Sequence, residues 1–226
     1  MNLTLYHGSE NIVRTPQYGK GSRNNDYGRG FYCTEEIELA KEWACSRDAD
    51  GYANIYQLET DDLRILHLND GKYNILNWLA LLAENRTYWE KNTVSEDAKK
   101  YLKKNFLIDL TGYDIIIGYR ANDSYFSFAQ SFAANALSLR QLSEAMCLGK
   151  LGEQIVLKSQ KAFSQIHFTD AQKADRETYF SRKMERDREA RRAYRKQIRN
   201  QTNTNDLFML DIMREGIKDG DARLFL

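Results

Sequence analysis

The sequence predicts an α+β domain in which several short strands are interrupted by helices. Two patterns lead to this fold class. Polar and apolar residues alternate over short stretches, as in half-buried strands, and longer stretches repeat apolar residues at the spacing of a helix. The 226 residues are enough for one well-packed core with an appended segment. Hydrophobic residues make up 42% and charged residues 29%, the balance of an ordinary globular protein.

The first third of the chain is predicted to contain three strands and one helix. Its strand candidates alternate in polarity, and glycine or polar residues follow them. In order, we predict a strand at 2–6 that Gly8 and Ser9 end, a loop at 15–30, a helix at 37–47 with Thr34 and Glu35 at its entrance, and strands at 54–59 and 64–67.

The middle of the chain is mainly helical and leads into the strands that close the core. Residues 113–118 are nearly all apolar, the pattern of a strand buried on both faces. In order, we predict helices at 75–82 and 94–104, a strand at 113–118, helices at 125–136 and 138–147, and strands at 153–157 and 165–168. Asn122 and Asp123 are predicted to form a turn before their helix. Trp43 and Trp78 lie on apolar helical stripes and are predicted core residues.

The composition changes near Thr169 and becomes strongly basic. The predicted segments are a core domain at 1–169 and an extension at 170–226, which holds a basic helix at 176–199, a polar turn at 200–205 and an amphipathic segment at 207–217 that docks on the core. Ten basic and four acidic residues lie in the basic helix. Three interpretations stay open: a solvated face with i,i+4 pairs, a surface for nucleic-acid phosphates, or a docking site for a small acidic partner protein.

Bulk properties exclude several classes of protein. A formal net charge of +1 gives no molecule-wide field that attracts nucleic acid, so any basic surface is local. Cys33, Cys45 and Cys147 form no close pair or Cys/His cluster, which predicts reduced thiols and no metal site. The first residues lack the features of a secretory signal, and no apolar run approaches the roughly 18 residues of a membrane span. We therefore expect a cytoplasmic protein without membrane association.

Residues that carry chemistry are few and far apart in the sequence. It contains no Walker loop, nucleophile elbow or HExxH motif. Gly28-Arg-Gly30 lacks the third glycine and the preceding strand of a dinucleotide-binding fingerprint. The remaining candidates are His7 after the first strand, Tyr32 after Gly-Arg-Gly-Phe, and Glu153 or Gln154 on a late strand.

Three motifs resemble the start of the diphtheria-toxin-like ADP-ribosyltransferases, the His-Tyr-Glu enzymes to which the poly(ADP-ribose) polymerases belong. They are Leu5-Tyr-His-Gly-Ser9, Asp26-Tyr-Gly-Arg-Gly-Phe-Tyr32 and Ala40-Lys-Glu-Trp-Ala44. With Ile117-Gly-Tyr-Arg-Ala-Asn-Asp123, they are similar to a bacterial family of uncharacterised domains in the same clan. The similarity covers most of residues 3–168. It implies a split β-sheet core with helical insertions and a basic C-terminal helix.

The resemblance also implies that the site binds NAD+ as a substrate. His7 would bind an adenosine ribose hydroxyl, Gly8 would offer backbone groups to the nicotinamide amide, and Tyr32 would stack on nicotinamide. Gly28 and Gly30 would let the loop approach the ligand closely, while Asp26 would fix that loop. The implied NAD+-binding set is His7, Gly8, Ser9, Asp26, Gly28, Gly30, Phe31 and Tyr32.

The third catalytic position has two candidates. Glu153-Gln-Ile-Val156 matches the Glu-x-Ile-Val stretch of the polymerases, and a carboxylate polarises a ribose hydroxyl well. The similar bacterial family often carries glutamine followed by an aromatic or aliphatic run, which favours Gln154. Because adjacent strand residues face opposite sides of a sheet, only one of the two can enter the cleft.

The implied activity is transfer of ADP-ribose from NAD+ to a protein or nucleic acid, and the implied role is an intracellular effector such as the toxin of a toxin–antitoxin or phage-defence pair. Alternatives are a non-catalytic module that binds nucleic acid or a partner protein, and an NAD+ glycohydrolase. Arg14 and Arg23 are candidate pyrophosphate ligands. Tyr119-Arg120 departs from the family pattern, which is more apolar there and often carries proline, so we expect an altered strand-to-loop geometry.

Overall fold

The computed structural model describes residues 2–87, 93–121, 123–148, 152–200 and 206–225 as a mixed α/β protein. Within these ranges, seven strands form two sheets and eight α-helices pack around them. The predicted mixture of short strands and intervening helices is confirmed.

The first sheet is antiparallel, with the strand order β1-β3-β7. Its strands are β1 (Asn2–Ser9), β3 (Gly51–Glu59) and β7 (Ile166–Ala174). Leu5, Tyr56 and Leu58 are buried in an apolar cluster that also contains Ile155 and Leu157 of the second sheet. The two sheets therefore pack against each other through these side chains.

The second sheet is mixed and has the strand order β2-β6-β5-β4. Its strands are β2 (Phe31–Cys33), β6 (Glu153–Leu157), β5 (Ile115–Tyr119) and β4 (Ile65–His67). β4 and β5 are parallel, and the other neighbours are antiparallel. Tyr6 and Thr34 exchange two backbone hydrogen bonds of 2.8 and 2.9 Å. This bridge brings the end of β1 beside β2.

The larger core lies around one central helix. The helices are α1 (Ile37–Ala44), α2 (Ile75–Asn85), α3 (Thr93–Phe106), α4 (Asp123–Ala133), α5 (Leu139–Met146), α6 (Gln160–Ser164), α7 (Arg176–Asn200) and α8 (Met209–Arg214). Nine of the 11 residues of α2 are buried, including Trp78. Asn74 caps this helix, since its side chain accepts a hydrogen bond from the backbone N–H of Leu76. A helix that is apolar on all sides belongs in the middle of a core.

The C-terminal extension folds back onto the core. The ring of Tyr194 in α7 stacks on Phe128 of α4 with centroids 4.0 Å apart. Met209 and Ile212 of α8 are buried in the same apolar core as α2. The predicted basic helix and the predicted docking of the segment at 207–217 are therefore confirmed.

Several predicted boundaries were wrong. β1 continues through Gly8 and Ser9, because extended glycine pairs with β3 and lets α1 approach closely. The N-cap of α1 is Glu36 instead of Thr34 or Glu35, and the helix ends at Ala44. Strand β2 and helix α6 were not predicted, since each has at most five residues.

The end of the predicted core domain falls inside a strand. β7 runs to Ala174, whereas its predicted end was residue 168. The second half of β7 is a strand because it pairs with β3. Its side chains are mostly polar, so the sequence pattern did not indicate a strand there. The division into domains at 1–169 and 170–226 stays a prediction. Asn200, the first residue of the turn predicted at 200–205, belongs to α7. Residues 201–205 and Asn122 lie outside the described residues.

The described helices include none that combines the length and apolar character needed to cross a bilayer. Even α7, which has 25 residues, carries charged side chains along its whole described length.

A buried ion pair attaches α7 to α1. The Glu42 side chain is 3% exposed, and its carboxylate accepts hydrogen bonds of 2.9 and 2.8 Å from Nε and Nη2 of Arg186, which is 29% exposed. The substitution Arg186→Gln should destabilise the fold by about 2 kcal/mol, because it leaves a buried carboxylate without its cation. Chemical denaturation measures this loss.

The matched control is Arg188→Gln, two positions further along the same helix. Arg188 is 66% exposed, and its ion-pair partner among the described residues is the exposed Glu185, so its loss should leave stability almost unchanged. Equal stability of the two variants would contradict the anchoring role of the Glu42–Arg186 pair.

Candidate active site

One cavity of about 720 Å³ opens where β1, β2, β6, α1 and α7 meet. This volume lies within the range of pockets that bind small molecules and cofactors. The cavity is lined by His7 and Gly8 of β1, Phe31 and Tyr32 of β2, Glu42 and Trp43 of α1, Gln154 of β6, Lys183 and Arg186 of α7, and by loop residues that include Asp26, Gly30, Arg86, Arg120 and Ala121. Residues that are more than a hundred positions apart thus share one site.

His7 is held in one tautomer by β2. Its Nδ1 lies 2.7 Å from the carbonyl oxygen of Tyr32. A carbonyl oxygen only accepts, so Nδ1 carries the proton of the neutral ring and Nε2 is left as an acceptor. Burial lowers the pKa of His7, and the nearby Arg120 charge lowers it further, while the bond to Tyr32 opposes both effects. The neutral ring, which packs on Phe31 at 4.4 Å, is therefore favoured.

Tyr32 is fixed by the loop that precedes it. Its hydroxyl donates to the carbonyl oxygen of Gly28 at 2.5 Å and accepts from the N–H of Tyr27 at 3.1 Å. Burial raises the pKa of Tyr32, so the hydroxyl stays protonated. Lys158 fixes the same loop, because its Nζ donates to the carbonyl oxygens of Tyr27 and Arg29 at 2.6 and 2.7 Å. The ring is thus a rigid wall of the cavity.

Gly8 offers backbone groups to the cavity. A Cβ there would collide with the backbone of Ala40 and Ala44 in α1, so only glycine fits. Tyr6 uses its N–H and C=O for the bridge to Thr34, and in an antiparallel ladder residues two apart point the same way. The N–H and C=O of Gly8 therefore point away from β3, toward the cavity that Gly8 lines.

The other candidate residues differ in their relation to the cavity. Gly30 lines it and packs tightly on β6, where an added Cβ would lie 2.6 Å from Val156. Gly28 does not line the cavity. Its φ of +71° forms a turn, and the carbonyl oxygen of Gly28 accepts the hydrogen bond from the Tyr32 hydroxyl. Ser9 also lies outside the lining, and its hydroxyl donates to Asn11 and accepts from Asn54.

The structure separates Glu153 from Gln154. Gln154 is buried and lines the cavity, whereas Glu153 lies on the opposite face of β6. There the Glu153 carboxylate lies 3.0 Å from Nε2 of His67 and accepts from Asn69 at 2.6 Å. Gln154 thus joins His7 and Tyr32 in one cavity, and Glu153 does not.

Asp26 connects four segments beneath the cavity. Its Oδ1 accepts from Nε and Nη2 of Arg86 at 2.8 and 2.6 Å. Its Oδ2 accepts from the N–H of Ala121 at 2.8 Å and from Nε2 of Gln154 at 2.9 Å. The Asp26 side chain is 4% exposed, and both of its oxygens are used. This arrangement fits the predicted role of fixing the loop.

The bond to Asp26 orients the amide of Gln154. A carboxylate only accepts, so the NH2 group of Gln154 faces Asp26 and its Oε1 faces away. This Oε1 is buried and has no hydrogen-bond partner among the described residues. A buried acceptor without a partner is costly and is commonly found where a ligand completes the hydrogen bond.

Positive charge dominates the cavity. Its lining carries five cationic side chains, Lys20, Arg86, Arg120, Lys183 and Arg186, and two carboxylates, Asp26 and Glu42. The carboxylates pair with Arg86 and Arg186. Ion pairs among the described residues do not include Lys20, Arg120 or Lys183. Three lining cations therefore remain for an anionic ligand.

These cations were not found from the sequence. Arg14 and Arg23, which were the candidates, do not line the cavity, and Arg14 instead lies over the ring of Phe168. One feature of the sequence could have pointed to Arg120: a charged residue stands there, where the family that the chain resembles is more apolar. Trp43, predicted as core, is only partly buried and lines the cavity beneath Arg120.

Residues 3–168 match the family described as "Protein of unknown function (DUF3990)". Searches of curated proteins and of solved structures find no match to the chain. The matched range includes His7, Tyr32, Gln154 and Arg120, whereas Lys183 and Arg186 lie beyond it. The matched range covers well over half of the chain, so the chain belongs to the family of unknown function DUF3990.

Proposed function

We propose that this protein is a mono-ADP-ribosyltransferase that uses NAD+ to modify a macromolecule, and that its two sheets form the split core of such an enzyme. The observation that carries the proposal is the convergence of His7, Tyr32 and Gln154 in one cavity, together with three cations that form no ion pair within the described part of the chain. These side chains come from three strands, and each is held by backbone or carboxylate contacts.

The contacts assign each residue a task. The ring of Tyr32 offers a rigid face for nicotinamide, and the N–H and C=O of Gly8 can pair with its carboxamide. Nε2 of His7 accepts from an adenosine ribose hydroxyl. Oε1 of Gln154 accepts from a hydroxyl of the nicotinamide ribose. Together these contacts hold NAD+ in the bent form that the transfer requires.

The reaction breaks the bond between the anomeric carbon and nicotinamide, and nicotinamide leaves with the bonding electron pair. A nucleophilic atom of the acceptor then bonds to that carbon and loses its proton to water or a neighbouring base. The Gln154 oxygen presents its negative dipole beside the developing oxocarbenium ion, at no cost of reorganisation.

The acceptor and the biological role belong to the same proposal. Exposed residues such as Gln17 and Lys20 line the cavity, so its mouth is open to a large molecule. We propose a protein or nucleic-acid acceptor and a cytoplasmic role as the toxin of a toxin–antitoxin or phage-defence pair. α7 is the proposed docking site for a small antitoxin-like protein.

A second candidate is a non-catalytic NAD+-binding module. The observation that favours it is that both carboxylates of the described lining, Asp26 and Glu42, are bound to arginines. Neither is available to polarise a ribose hydroxyl. Such a module would bind NAD+ but release no nicotinamide.

Incubation with adenylate-labelled NAD+ and cell lysate separates these candidates. We expect label on protein or nucleic acid with an equal amount of released nicotinamide. His7→Ala and Tyr32→Ala should each lower both signals by about 100-fold, because each removes a contact that positions NAD+. Free ADP-ribose formed at full rate without acceptor would identify an NAD+ glycohydrolase. Binding of NAD+ without release of nicotinamide would identify the non-catalytic module. Expression of the protein in cells tests the toxin role, which predicts growth arrest.

Substitution of the two neighbouring strand residues tests the third catalytic position. Gln154→Ala should lower kcat by about 100-fold, which is typical for loss of one preorganised polar group at the reacting centre. Glu153→Ala should keep kcat within about threefold, because Glu153 contacts His67 and Asn69 outside the cavity. Steady-state nicotinamide release measures both, and a larger loss in Glu153→Ala would contradict this assignment.

The affinity for NAD+ should depend on pH through His7. Its pKa is lowered by burial to below the ordinary 6.5, so the ring is neutral and Nε2 accepts above that pH. As pH falls through the lowered pKa, protonation removes the acceptor, and the Kd for NAD+ should rise. Between about pH 8 and pH 6.5 the Kd should stay constant.

Titration calorimetry from about pH 8 to well below pH 6.5 measures the effect. His7→Gln is the control, because it keeps polar groups that do not titrate. The variant should bind more weakly and lose the acidic rise in Kd. The same acidic rise in His7→Gln would show that another group is responsible.

A further inference from the structure

Arg120 is rigidly placed at the end of β5. The carbonyl oxygen of Tyr119 accepts from the hydroxyl of Tyr27 at 2.6 Å and from Nε1 of Trp78 at 3.1 Å. On the other side, the N–H of Ala121 donates to Asp26. The backbone is thus fixed on both sides of Arg120, and its guanidinium lies over the ring of Trp43 in the cavity.

The charge of Arg120 is not neutralised within the described part of the chain. No hydrogen bond or ion pair holds its guanidinium there, and its Nε is buried without a partner. The carboxylate of Asp26 is already saturated by Arg86, Ala121 and Gln154. Stacking on Trp43 compensates only part of the cost of burying a cation.

Burial lowers the pKa of Arg120, but an arginine side chain stays cationic in proteins. The same charge acts on its surroundings, because it lowers the pKa of His7. Arg120 is partly buried. A fixed cation that has already lost part of its hydration loses less on binding an anion, and the planar guanidinium suits phosphate oxygens. Lys183 of α7 and Lys20 line the same cavity, so a doubly charged ligand would meet more than one cation.

We propose that Arg120 is the anion-binding residue of this cavity and holds a pyrophosphate group, with Lys183 as a second ligand. The identity of that group as the pyrophosphate of NAD+ rests on the proposed function. The anion site itself rests only on the contacts of Arg120. The adjacent Tyr32 and His7 would then bind the two halves of the dinucleotide on either side of it.

Isothermal titration of the full chain with inorganic pyrophosphate, ADP-ribose, NAD+ and adenosine tests the proposal. Wild type should bind the three ligands that contain pyrophosphate, and more weakly as salt rises. Arg120→Gln should weaken each of these by about 10-fold or more, the usual effect of losing a charged hydrogen-bond partner. Adenosine binding should not change, and Arg188→Gln, on the exposed face of α7, should bind all four ligands like wild type.

Arg120→Lys covers the case in which Arg120→Gln does not fold. Lysine keeps the charge but loses the planar fork, so affinity for pyrophosphate should fall by about threefold to tenfold. Unchanged pyrophosphate affinity in the folded Arg120 variants would overturn the proposal and leave Arg120 as a support for Trp43. Lys183→Gln should weaken pyrophosphate binding less than Arg120→Gln does, and an opposite order would also overturn the assignment.

The outcomes separate the two proposals. If wild type binds pyrophosphate through Arg120 but does not consume NAD+, the anion site stands and the proposed enzymatic function fails. If NAD+ is consumed and Arg120→Gln keeps the wild-type KM and pyrophosphate affinity, the function stands and the assignment of Arg120 fails.

Discussion

The carboxylate of Asp26 is the interaction on which the candidate site depends. It accepts hydrogen bonds from Arg86 after α2, Ala121 after β5 and Gln154 on β6. Asp26 itself lies in the loop that leads to Tyr32. These four segments are distant in sequence and contact each other through one nearly buried group. A charge-assisted network of this kind is worth more than its separate bonds and tolerates few alternative geometries.

This network explains why glutamine stands on the cavity side of β6. The side chain at 154 lies 2.9 Å from an Asp26 oxygen, so a glutamate there would bring two carboxylates together and raise the pKa of one. Glutamine donates instead, and its buried oxygen points away from Asp26. The side chain that joins His7 and Tyr32 in the cavity is therefore neutral, and the buried carboxylate of Asp26 fixes it.

Local sequence patterns predicted most of the fold. The apolar run of α2 and the strand at 153–157 follow directly from periodicity, and the motif around His7 and Tyr32 predicted two residues of the cavity. Strand alternation showed that only one of Glu153 and Gln154 enters the cavity, but not which one. That choice depends on β6 pairing with β5 and on Glu153 meeting His67, and neither contact is local. Arg120 and Lys183 were missed for the same reason.

The extension changes what the family match describes. The match ends at residue 168, yet Lys183 and Arg186 of α7 form one wall of the cavity. Glu42 ties that wall to α1 beside Trp43, the ring on which Arg120 lies. The position of α7 therefore determines where the cationic side chains of Lys183 and Arg186 lie in the cavity, and it determines the shape of the cavity mouth. A partner that bound α7 and displaced Arg186 would expose the buried Glu42 charge and open the site. The same helix thus completes the cavity wall and is attached to the core through one buried ion pair.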